Sequence, residues 1–239
     1  MRWALGVLLL VTACSPGSGR TVVTVFAAAS LTESFTALEK TFESIHPDVD
    51  LRVNFAASSA LAQQLRTGAL ADVFASADEA TMAKVAPPSS RVFATNRLTI
   101  AVPSGNPAQV TGLADLPRVV TVVCAPQVPC GAATTTVLTA AGVTLRPASE
   151  EQDVKAVLTK VAADEADAGL VYVTDVRGAA VTAIDFPEST KAINRYPIAV
   201  LADAPHPTLA REFVDLVLSP EGQAILADHG FGPPTQATP

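Results

Sequence analysis

The chain is short of nearly everything needed to hold a large, highly charged or reactive partner. Basic residues are in the minority, 16 Lys and Arg against 23 Asp and Glu, for a formal net charge of −7. No basic stripe runs along the sequence, which argues against a nucleic-acid partner. There is no glycine-rich loop with a lysine to cradle a nucleotide phosphate. Histidine occurs at three positions, His46, His206 and His229, each expected in a loop or at a helix end, and no Gly-x-Ser-x-Gly elbow accompanies them. A serine hydrolase needs a base beside its nucleophile, so such an enzyme is a remote alternative and none is expected. Cysteine is equally sparse. Cys124-x5-Cys130 has no neighbouring histidine or second cysteine pair, which is poor zinc spacing. No cofactor is expected.

What is there begins with an export pattern. Met1-Arg2 is followed by an apolar run, Trp3 to Ala13, too short to remain as a transmembrane helix. It ends in Val11-Thr12-Ala13-Cys14, which resembles a bacterial lipobox. On that resemblance residues 1–13 are a signal peptide, Cys14 is lipidated, and 14–20 form a flexible tether to the outer face of the cell membrane. The alternative is an ordinary signal cleaved nearby, with Cys14 incidental. Removing Arg2 takes the net charge from −7 to −8. With Cys14 set aside, Cys124 and Cys130 form an even pair, and an exported protein meets oxidising conditions. A small disulfide-closed loop is expected, with a metal site as the rival reading.

From Thr21 onward strands and helices alternate, which predicts an α/β fold with parallel strands and right-handed crossovers. The run Thr21–Phe26 is apolar and β-branched, as a central strand should be, and Leu31, Phe35, Leu38 and Phe42 follow at helical spacing. Ser30 stands at the junction, where it reads first as the N-cap of a helix over 30–45. Phe55-Ala56-Ala57-Ser58-Ser59 repeats the same chemistry ahead of a second helix. Asp72 and Asp78 read as turn and cap residues. A helix is expected from about Gly131 to Ala141 and another from Glu150 to Ala163, the latter with acidic residues in its first turn. The simplest arrangement has two lobes, the second inserted into the first: 21–98 with 199–239, and 99–198. A ligand would sit between them, where strand C-termini and helix N-termini meet.

Five motifs then occur in order: Val25-Phe26-Ala27-Ala28-Ala29-Ser30-Leu31, Phe55-Ala56-Ala57-Ser58-Ser59, Ala71-Asp72-Val73-Phe74-Ala75-Ser76-Ala77-Asp78, Val128-Pro129-Cys130-Gly131 and Gly169-Leu170-Val171-Tyr172. Together they resemble the periplasmic molybdate-binding protein family of ABC importers, over about Thr21 to Phe231. The resemblance implies a two-lobed, type II periplasmic-binding-protein fold, each lobe a mostly parallel sheet flanked by helices. It implies an oxyanion in the interlobe cleft, held without direct metal ligands by hydroxyls and backbone N–H groups of Ser30 and Ser58, backbone N–H groups of Cys130 and Val154, and the phenol of Tyr172. Many relatives have Ala where Cys130 stands, a change that leaves a backbone donor in place.

The implied ligand is molybdate or tungstate and the implied partners are a membrane permease and an ATPase, with the protein itself a monomer. Several helix N-termini aimed at one dianion need no Lys or Arg, which suits an acidic chain. Such a site rejects hydrogen phosphate, whose proton needs an acceptor, whereas a sulfate-binding protein remains the alternative because sulfate differs in size alone. Ser59 competes with Ser58 by register, and Val154 and Tyr172 each have a plain reading as core residues.

Overall fold

The computed structural model describes residues 19–234; the signal segment 1–13, Cys14 and the tether up to Ser18 lie outside the described residues. Strand β1 (Thr21–Ala28) passes through a 3₁₀ turn (Ala29–Leu31) into α1 (Thr32–Ile45), followed by β2 (Val49–Ala56), α2 (Ser58–Arg66), β3 (Val73–Ala75), α3 (Glu79–Val85) and β4 (Arg91–Asn96). Next come β5 (Leu98–Pro103), β6 (Thr121–Cys124), α4 (Pro129–Ala141), β7 (Ser149–Glu151), α5 (Val154–Ala162), β8 (Ala168–Tyr172) and β9 (Val181–Ile184). The described chain closes with β10 (Asn194–Val200), α6 (Pro207–Leu218) and α7 (Pro220–Asp228).

These strands build two five-stranded sheets, ordered β2-β1-β3-β10-β4 and β7-β6-β8-β5-β9. In each sheet four strands point one way and one is reversed, β10 in the first and β5 in the second. The reversed strands are those that join the lobes. Arg97 alone separates β4 from β5, so one extended run leaves the first sheet and enters the second. The return precedes Asn194, because all of β10 pairs in the first sheet, with Asn194 opposite Asn96. The alternation had put the return at 198 to 199. Tyr196 explains the difference: its ring packs edge-on against Phe93 and Phe231 in the first lobe's core, a contact that an extended pattern cannot reveal.

Packing follows the apolar stripes. Helix α1 buries Phe35, Leu38 and Phe42 on one face, and Phe35 meets Phe93 and Phe213 with ring centres 5.8 and 5.9 Å apart. The second lobe is aliphatic, with Ile100, Val122, Val157, Val161 and Leu170 fully or almost fully buried. Between the cysteines, the Sγ atoms of Cys124 and Cys130 lie 2.06 Å apart, at disulfide distance.

Two local expectations are corrected. The acidic run before α5 does not open the helix: Ser149–Glu151 pairs with β6 as an edge strand, and Asp153 caps α5 by accepting from Ala156 N–H at 2.9 Å. Helix α4 begins at Pro129 rather than Gly131, since proline lacks the N–H that a first turn leaves unused. Asp78 caps α3 as its position suggests, accepting from Thr81 N–H at 2.7 Å.

Gly131 lets the start of α4 press against the end of β6. A Cβ there would lie within 1.9 Å of the Ala125 carbonyl oxygen, a backbone atom that cannot swing aside. Gly131→Ala should therefore cost about 3 kcal/mol of stability, at the upper end for overpacking. Urea denaturation checks this; a loss under about 1 kcal/mol would show that α4 moves freely.

Candidate functional site

The parallel pairing of β1 with β2 runs from Thr21 opposite Val49 to Ala28 opposite Ala56, and β3 joins with Ala75 opposite Ala27. The three strands therefore end level, and the turns after them gather at one edge of the sheet. Two of those turns present Ser30 and Ser58. Ser30 does not cap α1: it lies inside the 3₁₀ turn, and no side chain caps that helix. Its Oγ instead meets Tyr196 Oη at 2.9 Å. Ser58 is the first residue of α2, and its Oγ accepts from the backbone N–H of Ala77 at 2.9 Å. Both serines are at most 3% exposed.

The second lobe faces this edge with two helix starts. In the first turn of α4, Pro129 has no N–H, and Gly131 and Ala132 both donate to the Val128 carbonyl. That leaves the Cys130 N–H as the first-turn donor outside the helix's own ladder. In α5, Ala156 donates to Asp153, which leaves the N–H of Val154 at the first position. Tyr172 ends β8 between these helices.

Ser30, Ser58, Cys130, Val154 and Tyr172 all line one cavity, together with Ala28, Ala29, Ala57, Ala77, Val128, Pro129 and Asp153. The cavity encloses about 230 Å³ of space, solvent at its mouth included. Four of the twelve lining residues are alanines, whose short side chains let backbone approach the occupant closely. No Lys, Arg or His lines it, and Asp153 spends one carboxylate oxygen on its own helix.

Tyr172 carries the sharpest feature. Its side chain is fully buried, and its hydroxyl has no hydrogen-bond partner among the described residues, although the hydroxyl of Tyr196 is its neighbour. Burial, followed by the charge effects of Tyr196, Asp175 and Asp78 and by the nearby Tyr196 hydroxyl as a weak hydrogen-bonding neighbour, pushes its pKa well above the usual phenol value. The group stays a proton donor at any physiological pH. A buried donor without a partner costs about 1–3 kcal/mol, so the cavity is built to receive an acceptor.

Positive side-chain charge stands beside the cavity and not in its lining. Lys155 Nζ, next in chain to Val154, reaches across to both carboxylate oxygens of Glu33 on α1 at 2.8 and 2.9 Å. It also lies 3.3 Å from Asp175, whose side chain is completely buried. Asp175 is bound to the site through backbone: its Oδ2 accepts from Tyr172 N–H at 3.0 Å. Burial pushes the Asp175 carboxyl up to about 6, against the pull of Lys155 and that N–H. Burial opposes the charge on Lys155, but Asp175 and Glu33 outweigh it and raise its pKa.

The structure thus places Ser30, Ser58, Cys130, Val154 and Tyr172 around one cavity, and Ser59 does not line it. Sequence reasoning missed Tyr196, Asn96, Lys155 and Asp175 around it. Scarcity was the available signal: the chain has two tyrosines, and their rings meet with centres 6.1 Å apart.

A family model described as bacterial extracellular solute-binding protein matches residues 23–232. The molybdate-binding protein ModA of Mycobacterium tuberculosis is 46% identical over 228 residues, spanning 92% of this chain and 87% of its own. That of Escherichia coli is 32% identical over 231 residues, spanning 87% and 88%. Among solved structures, the periplasmic molybdate-binding protein of Azotobacter vinelandii matches with a TM-score of 0.77 over 89% of this chain and 100% of that one. Its identity of 20% makes this a likeness of fold.

Asp175 predicts a pH signature. Its folded pKa is raised from 3.8 to about 6, so the fold favours the protonated acid. The associated stability is fully present below about pH 4 and lost as pH rises through 6. Relative to Asp175→Asn, the wild type should lose about 3 kcal/mol between pH 4 and 7. Paired urea titrations across that range test this; a constant difference would refute it.

Proposed function

The chain belongs to the bacterial extracellular solute-binding protein family, and we propose that it captures molybdate, and tungstate with it, for an ABC importer. As a member of that family it is a binding protein and not an enzyme, and what it binds is a ligand, not a cofactor. Its histidines fit this role: His46 faces Glu212 at 3.5 Å, His206 faces Asp72 at 3.4 Å, and none lines the cavity with the serines.

The observation that carries the reading is the Tyr172 hydroxyl, without a well-formed hydrogen bond among the described residues, in a cavity whose other polar groups, the capping carboxylate of Asp153 apart, can donate. Ser30 and Ser58 contribute hydroxyls and first-turn N–H groups from one lobe, and Cys130 and Val154 contribute N–H groups from the other. A fully deprotonated tetrahedral dianion accepts hydrogen bonds on all sides and makes none, which matches such a lining. Helix N-termini supply the partial positive charge that the acidic chain lacks overall. Hydrogen phosphate brings a proton that the serines, the helix N–H groups and Tyr172 are not set to accept, and leaving it unpaired costs about 1–3 kcal/mol, or roughly tenfold to hundredfold in affinity. Sulfate is the alternative ligand, and discrimination against it rests on cavity size. Donors from both lobes converge on one ion, so binding favours the closed arrangement and release requires hinge opening.

The same reading places a lipid on Cys14 and a monomeric receptor domain on a short tether at the outer face of the membrane, delivering its ion to a permease driven by an ATPase. The signal peptide and lipobox support this, as does the extracellular character of the family. The Cys124–Cys130 pair is read as an oxidised bridge that stiffens the loop presenting the Cys130 N–H, a state an extracytoplasmic compartment favours.

Calorimetric titration of the mature domain with molybdate, tungstate, sulfate and phosphate tests the ligand. Molybdate and tungstate should bind tightly and phosphate at least about tenfold more weakly, while Tyr172→Phe should lose about tenfold for molybdate. Sulfate binding as tight as molybdate would overturn the assignment. Anchoring has its own test: Cys14→Ser should move the protein from the membrane fraction to the soluble one, and unchanged fractionation would dismiss the lipid.

A further inference from the structure

The two serines of the cavity become donors in different ways. Ser58 Oγ accepts from the N–H of Ala77, a backbone donor that cannot reverse, so its own proton is left for the cavity. Ser30 has no backbone donor to orient it. Its oxygen meets Tyr196 Oη at 2.9 Å, and two hydroxyls can share a hydrogen bond in either direction. If Ser30 donated to Tyr196, it would offer the cavity a lone pair instead of a proton.

Asn96 decides the direction. Its Oδ1 accepts from the N–H of Arg97 at 2.9 Å, which fixes the amide's orientation. The NH₂ end then faces Thr174 Oγ1 at 2.9 Å and Tyr196 Oη at 3.4 Å, one hydrogen for each. An amide nitrogen accepts nothing, so Tyr196 must receive there and send its own proton elsewhere. Ser30 Oγ, at 2.9 Å, is the acceptor whose geometry is good among the described residues; the Tyr172 hydroxyl is close enough to act on Tyr196 but makes no well-formed hydrogen bond with it. The chain runs Asn96 to Tyr196 to Ser30, and all three side chains are buried. We propose that Tyr196, oriented by Asn96, is a positioning residue that compels Ser30 to donate to the bound oxyanion and thereby sets the discrimination against protonated oxyanions. This rests on the reading of the cavity as an oxyanion site and extends it to a residue that does not line the cavity.

The consequence is specific. Without the Tyr196 hydroxyl, Ser30 can rotate and accept the proton of hydrogen phosphate, so selectivity should fall further than molybdate affinity alone requires. The test is calorimetric titration with molybdate and with inorganic phosphate, at a mildly alkaline pH where phosphate is the singly protonated dianion. It compares wild type, Tyr196→Phe, Ser30→Ala and the double variant. Tyr196→Phe should weaken molybdate about three- to tenfold while phosphate holds or tightens, lowering the affinity ratio at least about threefold. In the Ser30→Ala background the same change should move molybdate affinity less than about twofold, because the residue it acts through is gone.

An unchanged ratio, or an equal loss in both backgrounds, would overturn the role of Tyr196 and leave the oxyanion site standing. Wild type that binds neither ion would remove both. Thermal melts establish that the variants fold. Should Tyr196→Phe fail to fold, Asn96→Ala, which frees Tyr196 to accept from Ser30, must give the same fall in ratio or the proposal is wrong.

Discussion

Hydrogen-bond donors that the fold buries and leaves without partners are the constraint on which the rest of the structure depends. A buried N–H or O–H lacking an acceptor is costly, and most folds avoid it. Here one such group opens onto a small cavity: the Tyr172 hydroxyl has no well-formed hydrogen bond among the described residues, and the helix starts at Ser58, Cys130 and Val154 face the same space. The arrangement requires two sheets whose strands end at a common cleft. Level termini of β1, β2 and β3 supply one side, and the ends of β6 and β8 supply the other. Small residues complete it, because longer side chains than those of Ala28, Ala29, Ala57 and Ala77 would fill the space themselves.

Among the described residues, cationic side chains are kept out of that cavity's lining. A lysine among the donors would bind any anion through charge alone, while neutral donors bind by the number and direction of hydrogen bonds they make. Lys155 stands next to the site but is committed to Glu33 across the cleft and to buried Asp175 beside it. The pair with Glu33 spans the lobes. Asp175 in turn holds the backbone of Tyr172. The contact between the lobes, the position of the phenol and the local charge balance are thereby linked through three side chains.

Much of the fold was legible in the chain. Alternating β-branched runs and helical stripes specify strands and helices with little help from distant residues, and Asp78 capped its helix as its place in the pattern implied. The failures were at boundaries where tertiary pairing competes with local preference. Ser149–Glu151 became an edge strand because β6 offered an open side, so the acidic residues fell ahead of α5 and not within it. Ser30 had every local mark of a cap, yet a 3₁₀ turn intervened and its hydroxyl turned to a tyrosine 166 positions away. Nothing near Ser30 in sequence announces Tyr196.

By itself the sequence determined the chemical character of this protein: an acidic α/β chain with an export pattern, few histidines, and hydroxyls and small residues where strands turn into helices. Those features follow from local rules of periodicity, turn chemistry and composition, which act over a few residues at a time. The tertiary structure alone decided how the donors are aimed. Whether Ser30 offers a proton or a lone pair depends on Tyr196 and Asn96, which reach it from β10 and from the strand that crosses between the lobes. Direction in a hydrogen-bond chain is set by its last irreversible donor, and that donor is brought near by folding, not by sequence proximity.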